Sequence, residues 1–322
     1  MGTIDQNAAL LSKVARLHYQ HGLAHHEVAE MVGLSRVKVT RLLAEARRTG
    51  VVEITVHGDE HLFVELETKL LDLFSLKRAW VGPSFTDTRA DVSLGALGAQ
   101  AVSSLLPESK IVAVGFSQSI ANALVQMPQT RYPEIDFVPA TGTPAGLAQT
   151  GSGLRLAMGF ADVVGGRSYN VAAPLLASTS SAAVVLRSED MVRQVLDVAA
   201  HADLLITGMG AMGADSRMLI DSLTAADLKR IQHAGGVGDL CARFFDRDGH
   251  SIKTPIDDKI IGLNLDQMTA IPTRLVIARG TGKVDALLGA LRGGLMNALV
   301  TDTTTAQDLV EAFEAEDSAV PA

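Results

Sequence analysis

Basic side chains, interleaved with small polar and apolar ones, recur along one stretch of this sequence at spacings that suit nucleic acid: Ser35, Arg36, Val37, Lys38, Thr40, Arg41, Arg47 and Arg48. A guanidinium presents parallel N–H donors, and the O6/N7 edge of guanine presents two acceptors, so Arg36 and Arg41 can read that base in a major groove. Val37 and the Thr40 methyl can meet a thymine methyl. Lys38, Arg47 and Arg48 suit phosphates, which fix register without reading sequence. For each residue alone, a solvated basic helix face is the alternative. A second set has the chemistry of a small polar ligand. Gly115-Phe116-Ser117-Gln118-Ser119 brings hydroxyls and backbone N–H groups to a helix start, where an anion such as phosphate is favoured. Ala140-Thr141-Gly142-Thr143 adds more hydroxyls, and Arg279-Gly280-Thr281-Gly282-Lys283 adds a cation. Asp239, in Gly235-Gly236-Val237-Gly238-Asp239, offers a carboxylate after tight turns, suited to sugar hydroxyls or, in the plainer reading, to helix capping. An ordinary strand-to-helix turn also uses Gly and Ser, so the ligand reading depends on these loops meeting.

The basic stretch needs a helix to present it, and residues 25–44 supply one as a helix-turn-helix. Counting from His25, the positions that wedge the two helices apart are Val28, Val32, Leu34, Val39 and Leu42, all apolar. The crossing point takes a small residue, Ala29, and the sharp turn takes Gly33, which tolerates positive φ. Ser35 caps the second helix, whereas Ala24 stands where a Ser or Thr usually caps the first. A plain αα-hairpin is the competing reading. Leu10, Val14 and Leu17 mark a supporting helix ended at Gly22, with Lys13 and Arg16 on its other side. Val51–Val56 reads as a strand, making the head a winged variant of residues 1–57. Leu62, Leu66, Leu70 and Leu73 then mark one face of a helix near 61–74, for packing onto the second domain rather than a dimer seam.

From residue 78 on, β and α signals alternate. Ile111–Val114, Ile135–Val138, Leu204–Thr207, Leu275–Ala278 and Ala298–Thr301 are short apolar runs without alternation, as strands buried on both faces require. Helical stretches Val192–Ala200, Ala225–Gln232 and Val284–Leu291 fall between them. Residues 58–322 are therefore expected to form one α/β domain, a doubly wound Rossmann-like parallel sheet, whose ligands bind beyond the carboxyl ends of the strands. Gly208-Met209-Gly210-Ala211-Met212-Gly213 matches the dinucleotide fingerprint, yet no second parallel strand follows within about thirty residues and Asp215 comes too early to hold a ribose. Gly208 and Gly210 are read instead as a floor where backbone approaches a ligand. No cofactor or metal is expected. Glu314–Ala322 reads as a disordered tail.

Composition bounds these readings. The 322 residues suit two domains, and 47% hydrophobic with 20% charged content describes a packed globular chain. No run of 18 apolar residues is present, so no membrane partner is expected. One cysteine, Cys241, excludes an intramolecular disulfide and fits a reducing cytoplasm. Residues 1–57 carry seven Lys/Arg against five Asp/Glu, leaving 21 against 31 in the remainder, so a mildly basic head sits on an acidic body. Six of the nine histidines lie in residues 1–61 without metal-ligand spacing.

Three C-terminal stretches carry a resemblance. Gly238-Asp239-Leu240-Cys241-Ala242-Arg243-Phe244-Phe245-Asp246-Arg247-Asp248-Gly249, Gly282-Lys283, and Gly289-Ala290-Leu291-Arg292-Gly293-Gly294-Leu295-Met296-Asn297-Ala298-Leu299-Val300-Thr301-Asp302 are similar to signatures of the SorC-type (sugar-binding, DeoR-like) transcriptional regulators. The similarity extends from the head through Tyr169 and Ala173-Pro174-Leu175. It implies a winged helix-turn-helix joined to an effector domain resembling sugar-phosphate isomerases and deaminases. It also implies a tetramer on operator DNA, with a phosphorylated sugar or polyol as effector. By position, Ser117, Gln118 and Ser119 form the phosphate loop, Lys283 is its cationic partner and Asp239 takes hydroxyls. Thr141 stands where some members have Lys or Arg, which excludes a Schiff base there and removes one charge contact; a free polyol would also fit. Ala242 replaces a usual Gly. The competing function is a sugar-phosphate isomerase or deaminase with Asp239 as base, for which His233 is the one histidine near a Gly-rich loop and the basic head has no use.

Overall fold

Apolar residues at helical spacing bind the first three helices into one small core. In the computed structural model, which describes residues 3–52, 61–144, 152–212 and 223–319, these are α1 (Thr3–Tyr19), α2 (His25–Val32) and α3 (Arg36–Arg48). Leu11 and Val14 of α1, Val28 and Ala29 of α2, and Val39, Leu42, Leu43 and Ala46 of α3 are buried together. Val32 and Leu34, also assigned to the wedge, pack against that core half-buried. Val51 and Val52 lie in a bend, and residues 53–56, the rest of the expected wing strand, fall outside the described residues. The chain divides into two compact units, Met1–His61 and Leu62–Ala322.

The second unit is built on a seven-stranded sheet. Its strands are β1 (Arg78–Gly82), β2 (Ile111–Val114), β3 (Asp136–Pro139), β4 (Arg167–Ser168), β5 (Leu204–Thr207), β9 (Thr273–Ile277) and β10 (Ala298–Asp302), in the order β1-β10-β9-β5-β2-β3-β4. Every neighbouring pair is parallel. A parallel sheet must be covered on both faces, and alternate residues show it. Val112, Val114, Leu204 and Ile206 face one core, packed by α5 (Arg89–Leu105), α6 (Gln118–Val125) and α7 (Gly153–Val164). Ala113, Leu205, Val276 and Leu299 face the other, packed by α4 (His61–Phe74), α9 (Asp190–Ala200), α12 (Val284–Arg292) and α13 (Thr303–Ala319). Helices α8 (Ser180–Ser188), α10 (Ala225–His233) and α11 (Leu265–Ala270) complete the set. The leucine stripe of α4 buries Leu66 and Leu70 within this second unit, and Phe74 meets Phe313 of α13 edge-on at 5.0 Å.

Two features differ from the sequence reading. The Gly-rich run ending at Asp239 is not a succession of turns: only Gly235 takes a positive φ, and Gly236–Leu240 is strand β7 of a small antiparallel sheet with β6 (Gly210–Ala211) and β8 (Arg243–Asp246). Its glycines serve close packing, since a Cβ at Gly238 would lie 2.5 Å from the Ala286 methyl. The expected disordered tail is helical as far as Ala319, because α13 buries Leu309 and Val310 and Glu316 pairs with Arg292 and Arg247.

Candidate DNA-reading helix and ligand crevice

In the head, Gly33 ends α2 in the left-handed conformation (φ 66°) and turns the chain into α3. The Ser35 hydroxyl accepts the Lys38 N–H at 3.3 Å, capping α3 as its residue type requires. Ala24 has no capping side chain, but the Glu27 carboxylate accepts the Ala24 N–H at 2.7 Å and supplies half of a capping box. Arg36, Val37, Lys38, Thr40, Arg41, Arg47 and Arg48 are all exposed, Val37 at 63%. The Thr40 hydroxyl donates to the Arg36 carbonyl at 3.1 Å and lies 3.1 Å from the His25 ring, which leaves its methyl as the group to meet a base. Arg48 lies 4.0 Å from Glu45, an exposed pair that restrains it little. One basic, solvent-facing surface thus surrounds the N-terminal half of α3, the end that enters a major groove in helix-turn-helix proteins.

In the second unit, the chain runs outward from β2 through β3 to β4, then returns to the other side of β2 as β5 and continues to β9 and β10. The order reverses between β2 and β5, the place where open α/β sheets form a crevice at their carboxyl ends. Ser117 caps α6 there, its hydroxyl accepting the Ile120 N–H at 3.0 Å. The helix begins at Gln118, so Gln118 and Ser119 form its first turn. Their N–H groups have no acceptor within the helix, and the helix dipole favours an anion beside them. Across the crevice, Gly208 is pressed against this cap: a Cβ on it would lie 2.5 Å from the Ser117 Cβ. Gly210 is pressed against Asp239, whose Oδ1 a Cβ would overlap.

Asp239 is 8% exposed, and its Oδ2 accepts the Ala242 N–H at 3.0 Å. Burial pushes its carboxyl up from the usual 3.8 to about 6, against the opposing pull of the Ala242 N–H and the Lys283 ammonium. Ser117, Gly208, Gly210 and Asp239 therefore adjoin in sequence of contact, and Lys283 is near enough for its charge to act on Asp239. Ser119 is half-buried on α6. Gln118 is turned away, exposed, with its amide donating to Asn122 at 2.9 Å. Thr141 sits beside the loop after β2, since Ala140 N–H bonds the Val114 carbonyl at 2.8 Å. It is buried to 2% exposure, its hydroxyl donates to the Gly142 carbonyl at 3.0 Å, and it pairs with Gly262.

Several neighbours carried no assignment from the sequence. Thr207 donates to the Gly208 carbonyl at 3.1 Å and lies 3.4 Å from the Cys241 thiol, which burial pushes up to about 12 and so keeps protonated. Cys241 and Ala242 both hold positive φ, 49° and 69°, in the two-residue turn between β7 and β8. Such a turn prefers glycine, so the alanine that replaces it is strained there. Arg243, 6% exposed, bonds the Leu263 carbonyl at 2.9 Å and the Asp257 carboxylate at 2.6 Å. Only its place in the signature stretch marked it; its backbone partners leave no trace in sequence. His233 is exposed, with Nδ1 2.9 Å from the Lys229 carbonyl.

Comparison with known proteins bears on both units. The family model described as "Putative sugar-binding domain" matches residues 61–311. The transcriptional regulator LsrR of Escherichia coli K12 is 31% identical over 301 residues, covering 92% of each chain. Among solved structures, the full-length sorbitol operon regulator SorC from Klebsiella pneumoniae superposes with a TM-score of 0.75 at 24% identity, over 95% of this chain and 99% of that one. A DeoR family transcriptional regulator from Listeria monocytogenes gives 0.71 at 24% identity, over 77% and 99%. Those two likenesses establish a shared fold. The match of the sugar-binding model to most of the chain, with an LsrR relative aligned through both units, establishes more: the chain belongs to the SorC-type, DeoR-like family of sugar-binding transcriptional regulators.

Proposed function

We propose that the chain controls transcription of a carbohydrate or polyol catabolic operon, reading operator DNA with α3 and releasing or tightening its hold when a phosphorylated sugar or polyol enters the β2/β5 crevice. The division of labour is between a DNA-binding head, residues 1–57, and an effector-binding and oligomerising body, residues 58–322. The observation that carries the effector half is the adjacency of an α6 N-terminus, a buried carboxylate and a lysine at one switch point. In this reading the anionic group sits on the Ser117–Ser119 turn with Lys283 as counter-charge, and Asp239 accepts from hydroxyls. Arg36 and Arg41 read bases, with Val37 and Thr40 beside them, and Lys38, Arg47 and Arg48 hold phosphates. One head has few basic groups, so a dimer or tetramer formed through the body raises the effective concentration of the second head on DNA. Among the described residues no helix is long and apolar enough to cross a membrane.

Enrichment of a random duplex library by the full chain tests this, repeated with phosphorylated and free pentoses, hexoses and polyols. The expected result is a two-fold symmetric site whose retention changes with one phosphorylated compound, from a protein that light scattering shows to be oligomeric. No enriched sequence would refute the reading of α3, and turnover of the sugar phosphates would favour the enzyme.

A further inference from the structure

The segment Asp257–Leu263 crosses the carboxyl edge of the sheet as a strap. On one side it pairs with the loop after β3: Gly142 N–H bonds the Ile261 carbonyl at 2.9 Å and Leu263 N–H bonds the Ala140 carbonyl at 3.0 Å. On the other side it pairs with Leu175–Ala177 through Ile261 N–H to Leu175 and Ala177 N–H to Lys259, at 2.8 and 2.9 Å. Thr141 is thereby set against Gly262, where a Cβ would lie 2.8 Å from the Thr141 methyl.

Two arginines grip this strap from different elements. Arg243, on the hairpin that carries Asp239, donates to the carbonyls of Asp257, Gly262 and Leu263 at 2.9, 3.2 and 2.9 Å. Arg187, half-buried on α8, donates to the carbonyls of Ile260 at 2.9 Å and Asp258 at 3.3 Å. Between them the two guanidinia hold the carbonyls of five of the seven residues of the strap, pairing partners hold the other two, Lys259 and Ile261, and a segment so held has little freedom of its own. The rigid fork of arginine suits the task, because one side chain fixes two or three carbonyls at once.

We infer that Arg187 and Arg243 are positioning residues: by fixing the Asp257–Leu263 strap from both edges they set the place of Thr141 beside the crevice, and with it the fit of the effector. The effector clause rests on the crevice being the site proposed above; the placement of Thr141 does not. Arg187 acts from a helix that contributes nothing to the crevice itself.

Hydrogen exchange of the full chain separates the two clauses. In Arg187→Ala, peptides covering residues 140–143 and 259–263 should exchange about tenfold faster, while those covering β2 and β5 stay at the parent rate. Arg187→Lys should recover part of this protection, and Arg243→Lys, which keeps the charge but loses the fork, should lose more than Arg187→Ala. Unchanged exchange at residues 140–143, or equal acceleration across the sheet, overturns the inference. The second arm titrates ribose 5-phosphate, glucose 6-phosphate and sorbitol 6-phosphate into parent and variants by calorimetry. Arg187→Ala should weaken whichever binds the parent about fivefold to tenfold, with partial rescue in Arg187→Lys; equal affinity in all of them also overturns it. A parent that bound none of the three would count against the effector reading of the crevice, and the exchange rates would still decide the placement of Thr141.

Discussion

Asp239 is a carboxylate held where a charge is expensive, and its removal should strengthen the fold. Its carboxyl lies at about 6 against the usual 3.8, with burial as the largest cause. Each pKa unit is worth about 1.4 kcal/mol, so a gap of about two units makes ionised Asp239 cost the folded unit about 3 kcal/mol. The sign follows from proton binding. Between about pH 4 and 6 the folded chain keeps the proton and the unfolded chain has lost it, so stability falls as pH rises through that window and levels off above it. Asp239→Asn removes the charge while leaving an amide oxygen to accept the Ala242 N–H. Urea denaturation of the parent and this variant, followed by the transition of the larger unit, should show the variant more stable by about 3 kcal/mol at pH 8, the difference shrinking towards zero near pH 4. A difference that did not vary with pH, or a variant less stable than the parent at pH 8, would refute the reasoning. The same variant should respond poorly to the effector, since an amide accepts hydroxyl donors less strongly than a carboxylate.

Three other perturbations follow from the same geometry. Arg36→Ala or Arg41→Ala should relax base preference at one operator position at a cost of about 1–3 kcal/mol, whereas Lys38→Ala should weaken binding to all sequences and flatten its salt dependence; footprints on an operator library at two salt concentrations distinguish them. Lys283→Ala should keep its operator affinity but need about 10–100-fold more effector, and Ser119→Ala should show the same defect more mildly, both read from operator-binding titrations. Gly208→Ala should displace the Ser117 cap, 2.5 Å from the new methyl, costing about 1–3 kcal/mol in a thermal melt and blunting the effector response. A melt within about 0.5 kcal/mol of the parent would mean that Ser117 moves aside freely.

Much of this architecture can be read from residue types because each constraint there is local. The wedge positions of the head, Gly33 and the Ser35 cap are dictated by the helix pair they belong to, and the apolar runs at Ile111–Val114 and Leu204–Thr207 have no other use than a doubly covered sheet. Ser117 and Lys283 could be proposed because their loops follow such runs. What escaped is held by distant partners. Arg78–Gly82 lacks a full apolar run and is a strand because β10 lies beside it. Gly236–Leu240 looks like turns because its glycines are selected for the approach of Ala286 and Gly210, not for a bend. Arg187 and Arg243 bond to carbonyls, which every residue possesses, so their partners cannot be found in a sequence. Gln118 lies in the first turn of α6, and Asn122 on its own helix takes its amide, a pairing that its place after an apolar run does not reveal.

The pairing of β1 with β10 has a consequence for how the chain is made. Arg78 aligns with Ala298 and Gly82 with Asp302, so the first strand of the sheet has no strand beside it until the last is made. The head, with its own core of three helices, has everything it needs as soon as it leaves the ribosome. A chain stalled before β10 would therefore carry a packed head joined to a body in which β1 and β9 both lack their shared neighbour, and unpaired strands recruit others. Slow, long-range insertion of β10 between β1 and β9 sets the interval in which newly made molecules are most exposed to aggregation. Cells that express this regulator faster than β10 can find β1 should collect it as insoluble material before any defect in DNA binding appears.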